Sequence, residues 1–183
     1  MKLYLIRHLQ TPWNKAGKLQ GSQEISVLTP SKEDLKKIEL NTSILQDINF
    51  NVTLTSELLR TQETACYYGV DSFQVEPLLN ELDFGKYEGR PKQELLDNIG
   101  DTWYTDLTQV TLGENLKDFE IRMKEFISKY QGKTVLVFAH GATIRAMKAL
   151  HKFGHIDTMN QLNVANNELV ILNFPESPFI RRG

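Results

Sequence analysis

The sequence predicts an α/β fold, a three-layer α/β/α sandwich around a mostly parallel central sheet. Three observations carry this reading. Short apolar runs of strand length alternate with longer stretches of helical period, the order that builds strand–helix–strand units. The run Thr134–Ala139 is nearly all apolar, as in a strand covered on both faces. No internal repeat, low-complexity tract or linker interrupts the 183 residues, so residues 1–183 are expected to form one domain.

The elements follow in order. Residues 3–6 are an apolar run closed by Arg7 and read as a buried strand. Residues 9–30 carry Pro12, Gly17, Gly21 and Pro30 with few periodic apolar positions, so they read as a long irregular loop. A loop of that length in a compact domain usually has a function. Ser31 reads as the N-cap of a helix, with Asp34 at its third position and Leu35, Ile38 and Leu45 facing inward. Val52–Thr55 gives a second strand, and Ser56 is expected to cap a helix running to about Tyr68. Residues 73–75 are a third strand candidate. The stretch 81–90 holds Gly85 and Gly89 with Glu81, Asp83 and Glu88, and reads as a loop before a helix at 91–98. A helix over 114–130 places Leu116, Phe119, Met123, Phe126 and Ile127 on one face. After the strand Thr134–Ala139 come a helix over 142–152 and a last strand over 169–174.

Composition narrows the function. With 40% hydrophobic and 24% charged residues the chain is globular. A net charge of −2 removes the usual drive toward nucleic acid or an anionic membrane, while leaving room for a local basic pocket. A single cysteine, Cys66, excludes an intramolecular disulfide and a thiolate-rich zinc site. The apolar run after Met1 is too short for a signal peptide, and no stretch approaches the roughly 18 to 20 apolar residues of a membrane span. The expectation is a soluble, cytoplasmic protein. The sequence carries no signal for an oligomeric state.

In open α/β sheets ligands bind at the carboxyl ends of the strands. Arg7 and His8 follow the first strand, Ser56 and Arg60 the second, and His140-Gly141 the long apolar one. Any one of these alone reads as a surface ion pair or a satisfied core histidine. Four cationic or imidazole groups at the same kind of position suit a phosphoryl dianion, whose equatorial oxygens need several donors.

Longer motifs extend the pattern. Leu5-Ile6-Arg7-His8, followed by Thr11, Trp13, Asn14, Gly17, Gln20 and Gly21, resembles the opening of the histidine phosphatase superfamily, the phosphoglycerate-mutase-like proteins. Ser56-Glu57-Leu58-Leu59-Arg60-Thr61, the block from Glu81 to Gly89, Gly113-Glu114-Asn115 and the block from Val135 to Gly141 follow in the family's order. The resemblance implies the family's fold and a phosphomonoesterase acting on small phosphorylated metabolites, with no metal or other cofactor. It implies His8 as nucleophile through a neutral imidazole nitrogen, and Arg7, Arg60 and His140 as donors to the non-bridging oxygens. Glu81 would protonate the leaving alkoxide, with Asp83 as rival for that role. Thr11, Asn14, Gln20, Gly21 and Gly141 would line the phosphate and substrate pocket.

One position departs from the pattern: Leu9 stands where the family has glycine directly after the nucleophile. Its side chain either turns away between the 9–30 loop and the sheet, the reading favoured here, or leans over the pocket mouth. Leu9 keeps open a non-catalytic phosphate-binding or scaffold protein. A phosphoglycerate mutase is the other alternative, but the family's mutases tend to be longer and carry Asn where this chain has Ala142. Specificity is expected from residues 85–112, where Tyr87, Lys92, Trp103 and Tyr104 could meet the leaving group, with the core as the equal alternative for the aromatics.

Weaker signals have simpler readings. Gly132-Lys133-Thr134 resembles the end of a P-loop, but Ile127 stands at its first glycine and the triplet precedes a strand, so it is a turn. His151 and His155 have helix-face metal spacing without a third ligand nearby. Asn41-Thr42-Ser43 and Asn51-Val52-Thr53 fit a glycosylation pattern that carries no weight without a secretory signal. Cys66 reads as a buried small residue, and Arg181-Arg182-Gly183 as a mobile end.

Overall fold

Five strands account for the short apolar runs: β1 (Lys2–Arg7), β2 (Val52–Thr55), β3 (Gln74–Val75), β4 (Thr134–Ala139) and β5 (Leu169–Asn173). A computed structural model, describing residues 1–175, joins them in one sheet in the order β3-β2-β4-β1-β5. The first four run parallel and β5 pairs antiparallel with β1 at the edge.

Alternation along the central strands sorts side chains onto two faces. Leu3 and Leu5 of β1 join Val135, Val137 and Ala139 of β4 in one core. That core is covered by α4 (Lys92–Ile99), α5 (Thr102–Thr105), α6 (Leu116–Lys129) and α7 (Gly141–Phe153). Tyr4, Ile6, Leu136 and Phe138 point the other way. They pack under α2 (Lys32–Leu45) and α3 (Leu59–Tyr67) through Ile38, Leu45, Ala65 and Tyr68. Each such large apolar side chain contributes about 1.5 to 3 kcal/mol when fully removed from water. Two cores on one sheet make the three layers, so the α/β/α expectation holds.

Local chemistry sets the element ends. Ser31 and Asp34 exchange backbone and side-chain hydrogen bonds in a capping box that starts α2. Leu35 nevertheless faces solvent, 51% exposed, because the turn of α2 that touches the sheet is set by Ile38 and Leu45. Ser56 does not cap α3. The N-cap is Leu58, without a side-chain bond, and the Ser56 hydroxyl instead accepts from the Leu58 amide two residues on. Cys66 is exposed, not buried, since Ala65 takes the inward position beside it. Asn115 caps α6, two residues later than the apolar pattern suggested. The 9–30 loop contains a short helix, α1 (Pro12–Lys15), whose capping box is formed by Thr11 and Asn14.

The remaining signals resolve simply. Gly132 has a positive φ in the turn before β4. His151 contacts the Asn173 carbonyl and His155 pairs with Asp157 at 3.2 Å. Among the described residues no cluster of three or more His, Cys, Asp or Glu could hold a metal ion, and no helix is long and apolar enough to cross a membrane. Residues 181–183 lie outside the described part of the chain.

Candidate active site

The register of β1 against β4 pairs Arg7 with Ala139, so the next residue of each strand, His8 and His140, emerges side by side. The His8 amide donates to the Ala139 carbonyl at 2.9 Å, and the two imidazole centres are 5.4 Å apart. His8 is 2% exposed, and its Nδ1 lies 2.7 Å from the Leu9 carbonyl. A carbonyl only accepts, so Nδ1 carries the proton and Nε2 keeps a free lone pair. Burial first, then the charges of Arg60 and Arg7, hold the His8 pKa well below its ordinary value, despite the Leu9 bond. The imidazole is therefore neutral and its tautomer fixed.

His140 is wired differently. Arg60 Nε donates to its Nδ1 at 3.2 Å, so the ring proton is on Nε2 and is donated to the Ser56 hydroxyl at 2.7 Å. Thr61 accepts from Ser56 and donates to the Leu58 carbonyl, closing a directed chain. Burial, then Arg60, push the His140 pKa down as well. Arg60 spends two further donors on the Gln23 and Gly21 carbonyls, at 2.8 and 2.7 Å.

Glu81 sits at the start of α7. Both its oxygens accept from the Ala142 amide at 3.1 Å, and one also accepts from the Thr143 amide at 3.3 Å. Its carboxylate thus occupies the helix end where unpaired amides gather. Arg7 donates to the Val164 carbonyl at 2.7 Å, while its Nε is buried without a partner among the described residues. A cavity of about 340 Å³ opens here, lined by Arg7, His8, Glu81 and Gly141 among others.

The family profile described as histidine phosphatase superfamily (branch 1) matches residues 3–180. The chain belongs to the histidine phosphatase superfamily. A 2-carboxy-D-arabinitol-1-phosphatase of Triticum aestivum is 28% identical over 97% of this chain and 38% of its own length. A relative in Arabidopsis thaliana bearing the same activity in its name is 30% identical over 81% of this chain and 33% of its own length. The chain thus spans little more than a third of these plant relatives. The adenosylcobalamin/alpha-ribazole phosphatase of Escherichia coli K12 is 29% identical over 81% of this chain and 78% of its own. Among solved structures, the alpha-ribazole phosphatase of Shigella flexneri superposes with a TM-score of 0.75 at 25% identity, covering 96% of this chain and 92% of that one.

Not every residue that the histidine phosphatase motifs single out reaches the cavity. His8, Arg7, Glu81, Asn14, Gln20, Gly21 and Gly141 line it. Arg60 and His140 are fully buried beneath it, because the guanidinium turns toward the loop carbonyls and the imidazole toward Ser56. Thr11 is also fully buried and donates to Asn14 and Gln20, which border the cavity in its place. Asp83 accepts from the Gly85 amide at 2.7 Å and is not on the cavity wall. Lys92 and Trp103 line the cavity as expected of the 85–112 segment, whereas Tyr87 packs into the core and Tyr104 against it. Arg145 and Asn163 are wall residues that the sequence did not single out. Arg145 lies four residues after Gly141, one turn further along the same face of α7, and that spacing was the available signal.

Proposed function

We propose that this chain is a phosphomonoesterase of small phosphorylated metabolites that works through a phosphohistidine at His8, without a metal ion. The observation that carries this is the buried, neutral imidazole whose Nδ1 proton is held by the Leu9 carbonyl, leaving Nε2 as a nucleophile at the cavity.

The His8 Nε2 lone pair forms a bond to phosphorus as the bond to the leaving alkoxide breaks. Glu81, entering as the carboxylic acid, gives its proton to that oxygen. Water then attacks phosphorus, Glu81 takes its proton, and the N–P bond breaks to release phosphate and restore neutral His8. Arg7 binds the non-bridging oxygens. Arg60 and His140 support the step from beneath, Arg60 through its charge and its bonds to the Gly21 and Gln23 carbonyls, and His140 by packing beside the His8 ring. The phosphatase names of the plant and Escherichia coli relatives support hydrolysis. Ala142, in place of the mutases' Asn, supports water over a second phospho-acceptor.

Quenching turnover of a radiolabelled phosphomonoester should leave acid-labile, base-stable label on the chain, and His8→Ala should remove it. Excess chelator should leave the rate intact. Label that persists in the variant, or maps to His140, would overturn the assignment, and transfer to a second acceptor in preference to water would make the protein a mutase.

A further inference from the structure

The aim of the His8 ring depends on one peptide bond. Its Nδ1 is held by the Leu9 carbonyl at 2.7 Å, so tautomer and direction follow from how residue 9 is turned. That turn is governed by the plane of the His8–Leu9 peptide, which resists internal rotation. Two side chains from distant parts of the chain grip this plane at opposite edges. Asn166 Nδ2 donates to the His8 carbonyl at 2.9 Å. On the other edge, the Leu9 amide donates to Thr64 Oγ1 at 3.0 Å.

Both grips are themselves fixed. Thr64 is fully buried on α3, and its hydroxyl proton goes to the Arg60 carbonyl at 2.6 Å. With the proton committed there, the oxygen meets the Leu9 amide as an acceptor. The Thr11 amide donates to Asn14 Oδ1 at 3.1 Å, which marks that atom as the oxygen. Asn166 Nδ2 reaches the same oxygen at 3.2 Å, so the NH2 end of Asn166 serves His8 and Asn14 together. Asn167 holds the turn that presents Asn166. It is fully buried and is the one non-glycine residue with a positive φ, 58°, among the described residues. Such a conformation persists where the surroundings over-determine it. The Asn167 amide donates to the Arg7 carbonyl at 3.0 Å, and its side chain donates to the Asp34 carbonyl and accepts from the Tyr68 hydroxyl. Its carbonyl accepts from Asn41 at 3.2 Å.

Neither Asn166 nor Thr64 borders the cavity, so neither is placed to touch a substrate. We propose that Asn166 and Thr64 are positioning residues: by pinning the His8–Leu9 peptide from both edges they keep the Leu9 carbonyl on Nδ1 and Nε2 aimed into the cavity. This rests on the reading of His8 as the nucleophile and adds the residues that aim it.

Thr64→Val keeps the shape of the side chain and removes the acceptor, whereas Thr64→Ser keeps the hydroxyl. Asn166→Leu keeps the branched shape and removes the N–H groups. On p-nitrophenyl phosphate, Thr64→Val and Asn166→Leu should each lower kcat by about 10- to 100-fold, the scale set by a reacting group displaced by about 1 Å. KM should stay within about threefold, because Arg7 and the Thr11-held Asn14 remain in place. Thr64→Ser should keep kcat within about threefold of the unaltered protein, since the acceptor survives. Proton–nitrogen spectra of protein with isotope-labelled histidine nitrogens give a readout that needs no turnover. The His8 signals, identified by their loss in His8→Gln, should show the Nδ1–H tautomer alone in the unaltered protein and a mixture of tautomers in Thr64→Val and Asn166→Leu. A single tautomer retained in either of these folded variants overturns the proposal. So do losses that fall on KM with kcat unchanged, or a Thr64→Ser protein as impaired as Thr64→Val. Absence of turnover in the unaltered protein would count against the phosphatase reading alone, and the spectra would still decide the positioning.

Discussion

Leu9 follows the proposed nucleophile, and its side chain runs away from the cavity. It is 1% exposed and packs with Tyr4, Ile6, Ile38, Ala65 and Phe138, with Val27 of the long loop beside them. Its backbone φ is not in the left-handed region, so glycine is not required at this position. What residue 9 supplies to the site is backbone: its carbonyl accepts the His8 proton and its amide donates to Thr64 Oγ1 at 3.0 Å. Leu9→Ala should therefore lower unfolding free energy by about 2 to 5 kcal/mol. Turnover measured well below the new midpoint should persist. An inactive but fully folded Leu9→Ala protein would show that the side chain acts at the cavity. Glu81 calls for a chemical test. Gln cannot donate the proton, so Glu81→Gln should cripple hydrolysis of a sugar phosphate far more than that of an aryl phosphate, which leaves without protonation. Equal losses on both, with a selective loss in Asp83→Asn, would move the role to Asp83.

At the scale of elements, α6 holds the segment that carries Glu81. Arg122 grips Glu114 with two bonds of 2.9 and 2.8 Å and donates to the Leu78 and Asn80 carbonyls at 2.8 Å each. One side chain thereby ties α6 to the residues just before the proposed acid. Removing it in Arg122→Gln should cost about 1.5 to 3 kcal/mol, the range for bonds to a charged group. It should also lower kcat more than it raises KM, because Glu81 loses its anchor while the phosphate donors stay in place. An unchanged kcat in a folded variant would detach α6 from the chemistry. Elements also explain what could be read from sequence. β1, β2 and β4 stand out as apolar runs, and the residues at or directly after their ends, Arg7, His8, Ser56 and His140, meet because parallel register aligns strand ends. Arg145 was hidden because a charge on an amphipathic helix reads as its solvated face. Trp103 could not be told from core, since α5 has only four residues and no readable period. The inward turn of Arg60 was also illegible, because it depends on carbonyls of residues 21 and 23, which lie in an aperiodic loop.

For the molecule as a whole, the two neighbouring buried histidines make stability depend on pH. Both are buried and both have folded-state pKa values pushed well below 6.5, by burial first and then by Arg60. In the unfolded chain each takes a proton as pH falls through about 6.5, while in the native protein neither does until much lower pH. The unfolded state then binds more protons, so stability is full above about pH 6.5 and declines as pH falls below it. Each histidine contributes a slope approaching about 1.4 kcal/mol per pH unit. Glu76 acts in a separate, lower window. Burial alone would raise its carboxyl, but bonds from Lys129, Tyr130 and the Leu78 amide outweigh that and hold it below its ordinary 4.5. Its share of stability is present above about pH 4.5 and is lost as pH falls further. Denaturant midpoints taken at pH 7.5, 6 and 5 should therefore drop across the upper window before the carboxylate takes part. His8→Gln should remove about half of that slope, since Gln does not titrate and His140 remains. A midpoint that stays level from pH 7.5 to 5 would mean that His8 and His140 protonate as readily in the native state as in the unfolded chain, and the neutral nucleophile would lose its basis.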